Sequence, residues 1–173
     1  MRDLISNFAF FQALMPQELI ATDLTGVTID TQGYEGVTFV VNVGHLSLIT
    51  STSYAQLVIQ HTDGTVADDA VASDFAIVSD AKHLVGLVST ISALTSGIWK
   101  IIGSTGATAA NTASFGSNVH AVGYIGPRRF VRLYIDAVGT VNNVSDGVGA
   151  IAMLGLPGDW PAVSEVALHA TGT

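Results

Sequence analysis

Apolar and polar residues alternate most regularly between Arg129 and Ala137. One side of this extended segment would carry the apolar side chains Val131, Leu133, Ile135 and Ala137. The other side would carry aromatic and charged side chains, namely Phe130, Arg132, Tyr134 and Asp136. The pattern predicts a β-strand with one side in the core and the other in contact with water. Tyrosine and arginine are enriched at protein contacts because they combine apolar area with polar ends, so the second side is a candidate contact surface.

The same two-residue period recurs in segments along most of the chain. It predicts strands at 19–30, 36–43, 54–61, 84–91, 97–102, 119–125, 129–138 and 147–154, with a short strand near 75–78. Turn residues such as Asp63-Gly64 and Gly126-Pro127 separate them. About eight to ten short strands without a long helix indicate an all-β fold, a β-sandwich of jelly-roll type. The segment 147–154 is apolar on both sides, which is typical of a central strand or of one that a partner covers.

The chain divides into three predicted parts. Residues 1–17 would form an N-terminal arm or a short helix that ends at Pro16, packed on its own domain or on a neighbouring subunit. Their apolar residues follow helical spacing, at Leu4, Phe8, Phe11 and Met15. Residues 18–156 would form a single β-sandwich, in which 62–118 is an enlarged insertion of loops and strands. Residues 157–173 would be an irregular C-terminal tail with a short element at 163–170.

The composition suggests that part of the surface is covered by another chain. Hydrophobic residues make up 49% of the sequence and charged residues only 12%, against about 25% charged in an average soluble protein. The alternative is a surface of neutral polar residues. No uninterrupted apolar run reaches the length of a membrane span, so no membrane partner is predicted.

The charge balance argues against nucleic acid as a partner. The net charge is −8, and the chain has only six Lys and Arg residues, too few for the basic surface that a polyanion requires. Three of the six are close together, at Arg128, Arg129 and Arg132. Such a local basic spot on an acidic protein favours an ion-pairing contact with an acidic partner.

The residues that support catalysis or metal binding do not form a recognisable motif. The chain has no cysteine, which excludes disulfides, thiolate catalysis and cysteine zinc sites. Its five histidines lack the close spacing of metal ligands, and the acidic run 63–69 lacks the spacing of a calcium loop. There is no Gly-x-Ser-x-Gly elbow and no phosphate-binding loop. The sequence therefore predicts no enzyme, no cofactor and no metal.

Three blocks resemble a known group of proteins. They are Phe-Val-Val-Asn-Val-Gly at 39–44, Val-Gly-Tyr-Ile-Gly-Pro-Arg-Arg-Phe-Val-Arg at 122–132 and Gly-Ala-Ile-Ala-Met-Leu-Gly-Leu-Pro at 149–157. They are similar to small structural proteins encoded among the head genes of tailed bacteriophages and prophages. In those proteins a Tyr-Ile-Gly-x-x-Arg-[Tyr/Phe]-Val-Arg strand precedes a Gly-Ala-Val-Ala-Val-Leu-Gly-x-Pro strand near the C-terminus. The resemblance covers about half of the chain, and residues 62–118 depart from it.

The resemblance implies a virion component, a head decoration (cement) protein that binds the major capsid protein on the outer surface of the capsid, as a homotrimer. An acidic protein suits that location because packaged DNA would repel it. The contact residues expected on this basis are Phe8, Phe10, Phe11, Arg128, Arg129, Phe130, Arg132 and Tyr134. One alternative is a head-tail connector, tail or fibre-base subunit. A second is a carbohydrate-binding sandwich, for which only Trp99 and Trp160 offer aromatic platforms.

Overall fold

The computed structural model describes residues 8–20, 22–44, 52–64, 74–86, 98–102, 118–139 and 147–157. Their strands, in chain order, are β1 (Phe8–Gln17), β2 (Leu24–Thr25), β3 (Ile29–Asp30), β4 (Tyr34–Val43), β5 (Tyr54–Thr62), β6 (Ala76–Ile77), β7 (Leu84–Val85), β8 (Ile98–Ile102), β9 (Asn118–Tyr124), β10 (Phe130–Val138) and β11 (Val148–Pro157). A 3-10 turn lies at Ala81–His83.

The strands form two antiparallel sheets. Sheet A has the order β1-β11-β4-β9-β7, and sheet B has the order β2-β10-β5-β6, with β3 also pairing β10 and β8 also pairing β5. In sheet B, β2 and β3 together take one strand position, and β6 and β8 together take another. Counted in this way, the strands before the insertion, from β1 to β5, lie alternately in sheet A and sheet B. This is the arrangement of a jelly roll. The predicted all-β sandwich of jelly-roll type is confirmed.

The core lies between the two sheets and follows the predicted alternation. On β10, Val131, Leu133 and Ile135 are buried, as expected for its apolar side. They share one cluster with the inward residues of β4, which are Val37, Phe39, Val41 and Val43. Full burial of an aliphatic or aromatic side chain contributes about 1.5–3 kcal/mol, so these two strands are a major source of the stability of the sandwich.

Of the two forms predicted for the N-terminal segment, an arm or a short helix, residues 8–17 take the extended one. The short helix is wrong for residues 8–17, which form β1 at the edge of sheet A, paired with β11. The register shifts between Gln12 and Leu14, so that Ala13 and Leu14 are both buried. Such a bulge breaks the two-residue period, which is why the apolar spacing resembles that of a helix. Residues 1–7 lie outside the described residues.

Most of the other predicted strands are confirmed. The segments 36–43, 54–61, 97–102, 119–125, 129–138 and 147–154 correspond to β4, β5, β8, β9, β10 and β11, and the short strand near 75–78 corresponds to β6. The prediction for 19–30 is wrong in its continuity, because two short strands, β2 and β3, replace one long one. The strand predicted at 84–91 begins as β7, and its residues 87–91, like the predicted element at 163–170, lie outside the described residues.

The break between β2 and β3 connects the two sheets. The Gly26 N–H donates to the carbonyl of Leu133 on β10, and the Val27 N–H donates to the carbonyl of Ala13 on β1, both at 2.8 Å. A Cβ atom on Gly26 would lie 2.5 Å from the Ala13 oxygen and 2.8 Å from the Leu133 oxygen. Only glycine fits here, because backbone atoms of both sheets occupy the space that a side chain requires.

Replacing Gly26 with alanine should therefore lower the free energy of unfolding by about 2–3 kcal/mol, since overpacking against backbone can be relieved only by moving a sheet. Urea denaturation measures this change. Gly123→Ala is the matched control, because its Cβ would meet Val85 at an ordinary 3.4 Å. Equal urea midpoints for the two variants would contradict the role of Gly26.

Candidate interaction surface

The two arginines before β10 are exposed, but their charges are paired within the chain. The Nη1 of Arg128 lies 2.7 Å from Oδ2 of Asp63. Arg129 donates from Nε and Nη2 to the two carboxylate oxygens of Asp30, at 2.8 and 2.6 Å. The basic spot predicted from the sequence is thus largely neutralised by this chain's own carboxylates. A contact of Arg128 or Arg129 with a partner stays a prediction.

The next two predicted contact residues are buried. Phe130 is 2% exposed and Arg132 is 7% exposed, so the prediction that this side of β10 meets water is wrong at both positions. The Arg132 guanidinium lies 3.8 Å from the centre of the Phe75 ring, and its Nε donates to Oε1 of Gln60 at 2.8 Å. Phe75 comes from the 62–118 insertion, which therefore covers part of the outer side of sheet B. Whether Phe130 and Arg132 also contact a partner stays a prediction.

Farther along β10, a tyrosine and two carboxyl groups lie together. The Tyr134 hydroxyl donates to Oδ2 of Asp23 at 2.5 Å, and the Ala137 N–H donates to Oδ1 of the same residue at 3.0 Å. Burial, together with the hydrogen bond to Asp23, raises the pKa of Tyr134 to about 12. Burial and then the charge of Asp23 also raise the pKa of Asp136. The polar end of Tyr134 is thus engaged within the chain.

The turn before β10 is held by a buried tyrosine. The Tyr124 hydroxyl accepts a hydrogen bond from the Arg128 N–H at 3.2 Å and lies 2.8 Å from Nδ1 of His61. A Cβ atom on Gly126 would overlap the Tyr124 ring, so this glycine lets the turn close over the aromatic side chain. Burial raises the pKa of Tyr124 and lowers that of His61. Tyr124 is buried, which makes this pair a structural support of the Tyr-Ile-Gly motif.

The three N-terminal phenylalanines point in two directions. Phe11 packs against the core. Phe8 pairs with Gly155 and Phe10 with Met153 in the sheet register, on the side away from the core, with their rings 6.5 Å apart. Phe10 is 39% exposed. Two of the three predicted contact phenylalanines therefore lie on the outer side of sheet A.

This outer side is an uncharged surface of the described residues, and we call it the apolar sheet face. The register of the five strands places on it Phe8, Phe10, Gln12, Gly36, Thr38, Val40, Asn42, Val85, Val119, Ala121, Gly123, Gly149, Ile151, Met153 and Gly155. None of them is Asp, Glu, Lys or Arg. Several large apolar side chains on it are well exposed, including Val119 at 66% and Ile151 at 45%. Soluble monomers rarely expose a contiguous apolar patch of this kind, which is typical of a protein contact.

Outward-facing glycines give the apolar sheet face its relief. One hollow of 580 Å³ is lined by Pro16, Asn42, Val119 and Gly149, among others. A second hollow of 630 Å³, at the other end of the strands, is lined by Phe8, Glu35, Gly36, Gly123 and Gly155, among others. Between them project two cross-strand pairs, Val40 with Ile151 and Thr38 with Met153. The face is a ridge flanked by two hollows.

Only part of this surface could be located from the sequence. The available signals were the phenylalanines Phe8 and Phe10 and the segment 147–154, which becomes β11 and is apolar on both sides. β4 and β9 contribute small or neutral residues such as Thr38, Ala121 and Gly123, which in the sequence do not indicate a contact surface. Only the register of the sheet shows that they lie on the same face as Ile151.

Comparison of the chain with family models, curated proteins and solved structures finds no match. Over the described ranges there is no group of three or more side chains able to hold a metal ion. No helix in the same ranges is long and apolar enough to cross a membrane. The geometry of the apolar sheet face is therefore the main basis for assigning a role.

The contact between Asp23 and Asp136 predicts a pH dependence of stability. The pKa of Asp136 is raised in the folded state. The contribution of its protonated form to the free energy of unfolding is therefore fully present below the ordinary carboxyl pKa, and it is lost as the pH rises through the raised value. Asp136→Asn should increase the free energy of unfolding at pH 7 by up to about 1 kcal/mol, limited by solvent screening.

Thermal unfolding between pH 4 and pH 8 measures this effect, and the gain should shrink towards pH 4. Asp80→Asn is the control, because the hydrogen bond from Lys82 lowers the pKa of that exposed carboxyl. A gain for Asp80→Asn equal to that for Asp136→Asn, or none for Asp136→Asn, would contradict repulsion at this pair.

Proposed function

We propose that this protein is a structural assembly module, and specifically a decoration protein on the outer surface of a bacteriophage head. It acts by packing against other protein surfaces and carries out no reaction. The observation that carries the assembly role is the apolar sheet face. The sequence blocks at 122–132 and 149–157 support the more specific assignment by resemblance.

The energetics of the apolar sheet face suit assembly. Removing apolar surface from water contributes about 25 cal/mol per Å², and no charged group on this face has to lose its hydration. Many copies on a shell would multiply modest single contacts into firm attachment. Trimers and the major capsid protein as partner belong to the proposal through the same resemblance.

The fold is compatible with this role but does not select it. Jelly rolls occur in viral capsid proteins and in lectins alike, and function follows from the site on a fold. A carbohydrate-binding role has less support, because Trp99 is buried in the core and Trp160 lies outside the described residues. The strongly acidic composition favours the outside of a head, where the chain is separated from packaged DNA.

Electron microscopy of virions with and without this protein tests the assignment. Deletion should remove density from the outer surface of the head and leave heads that burst at a lower osmotic shock or temperature. Adding the purified protein back should restore both properties. Intact heads without tails would replace decoration with the connector role, and unchanged particles would exclude a place in the virion.

A further inference from the structure

We propose that the apolar sheet face packs against the same face of a second copy of this chain, across a twofold axis. The proposal rests on the assembly role above and names the first partner of that surface. It differs from the trimer implied by the resemblance, because face-to-face packing of identical sheets pairs copies in twos.

The distribution of charge favours self-contact through this face. Two copies that each carry a net charge of −8 repel one another wherever their acidic groups approach. Asp23 and Asp136 lie at β10 of sheet B, and Asp30 and Asp63 hold arginines at the end of that sheet. The outward strand positions of the apolar sheet face carry no such group, although Glu35 near the start of β4 lines the second hollow. Identical copies can therefore approach closely there, and an uncharged apolar surface is matched by its own duplicate.

The available area permits self-contact. Four of the five strands, β1, β11, β4 and β9, have seven to ten residues, whereas β7 has two. Four strands spaced about 4.8 Å apart span about 19 Å, and strands of that length span about 23–33 Å. The apolar sheet face thus offers roughly 450–650 Å² per copy, or roughly 900–1,300 Å² for a pair. The upper part of this range exceeds the about 1,000 Å² that a specific protein interface requires.

The shape of the apolar sheet face also suits self-contact. Stacked sheets pack about 10 Å apart with interdigitated side chains. A second copy, rotated by the twofold axis and displaced along the strands, would place its Val40 and Ile151 ridge in one hollow of the first. The symmetry makes the exchange reciprocal, so each ridge fills a hollow of the other copy.

Residues 158–173 are the competing occupant. They follow β11, which ends beside Tyr34 at the edge of the second hollow, and they include Trp160, Val163, Val166 and Leu168. A covering of the face by this segment of the same chain would not depend on protein concentration. A second copy would protect the face only as the concentration rises, and this difference separates the two occupants.

Sedimentation of the full chain over a range of concentrations is the first test. The parent should form dimers, and Ile151→Asp should raise the dissociation constant by at least about 100-fold, because it would bury an unpaired charge. Ile77→Asp is the matched control, since Ile77 on β6 is 43% exposed against 45% for Ile151. It should change the constant by less than about threefold. A parent that stays monomeric, or association that Ile151→Asp leaves intact, would overturn the proposal.

Thiol alkylation is the second test, and it does not depend on the stability of the aspartate variant. Because the chain has no cysteine, Ile151→Cys and Ile77→Cys each introduce a single reporter. Alkylation at position 151 should slow as the protein concentration rises, while alkylation at position 77 should not change. Protection of position 151 that is independent of concentration would assign the face to residues 158–173. A monomeric parent would overturn the dimer but not the decoration role. Virions that are unchanged by deletion of the protein would exclude the decoration role but not the dimer.

Discussion

A β-sandwich has four sheet faces, and its core covers only two of them. The two outer faces of this protein are treated differently by its own sequence. On sheet B, Phe75 from the insertion lies over Arg132, and Asp23 accepts a hydrogen bond from the hydroxyl of Tyr134. Other parts of the same chain thus cover part of that face and pair its polar groups. On sheet A, neutral and apolar residues cover the outer face from β1 to β7. Exposed apolar surface without charge is the constraint from which the functional argument follows.

The parts that hold the sandwich together also position that surface. Gly26 and Val27 connect β10 with β1, which keeps the edge strand and its outward Phe10 aligned with sheet A. At the other side of the sheet, Tyr124 holds the turn at Gly126 and Arg128. The Ile125 N–H after β9 donates to the carbonyl of His83, just before β7. The apolar sheet face is therefore built on strands whose edges are tied at both sides, which suits a rigid contact surface.

The position of the charged side chains matters as well as the net charge. The exposed side chains of Arg128 and Arg129 form ion pairs with Asp63 and Asp30, so they do little to offset the acidic surface around them. Association through the acidic sides would be opposed at low salt, whereas contact through the apolar sheet face would depend only weakly on ionic strength. Electrostatics thus restricts which surfaces can meet, and apolar burial supplies the attraction.

The two-residue period by itself determined the fold class, most of the strands and the inward residues of β4 and β10, because the alternation of side chains along a strand is a local property. The bulge at Ala13 hid β1, since one extra residue destroys the period on which the prediction depends. The burial of Arg132 could not be foreseen, because Phe75, whose ring packs against its guanidinium, is distant in the sequence. Tertiary structure alone decided the apolar sheet face, for a period tells which residues share a side of one strand but not which strands are neighbours. Hydrogen bonds between distant segments set that register, and they bring the unremarkable outer residues of five strands together as one surface.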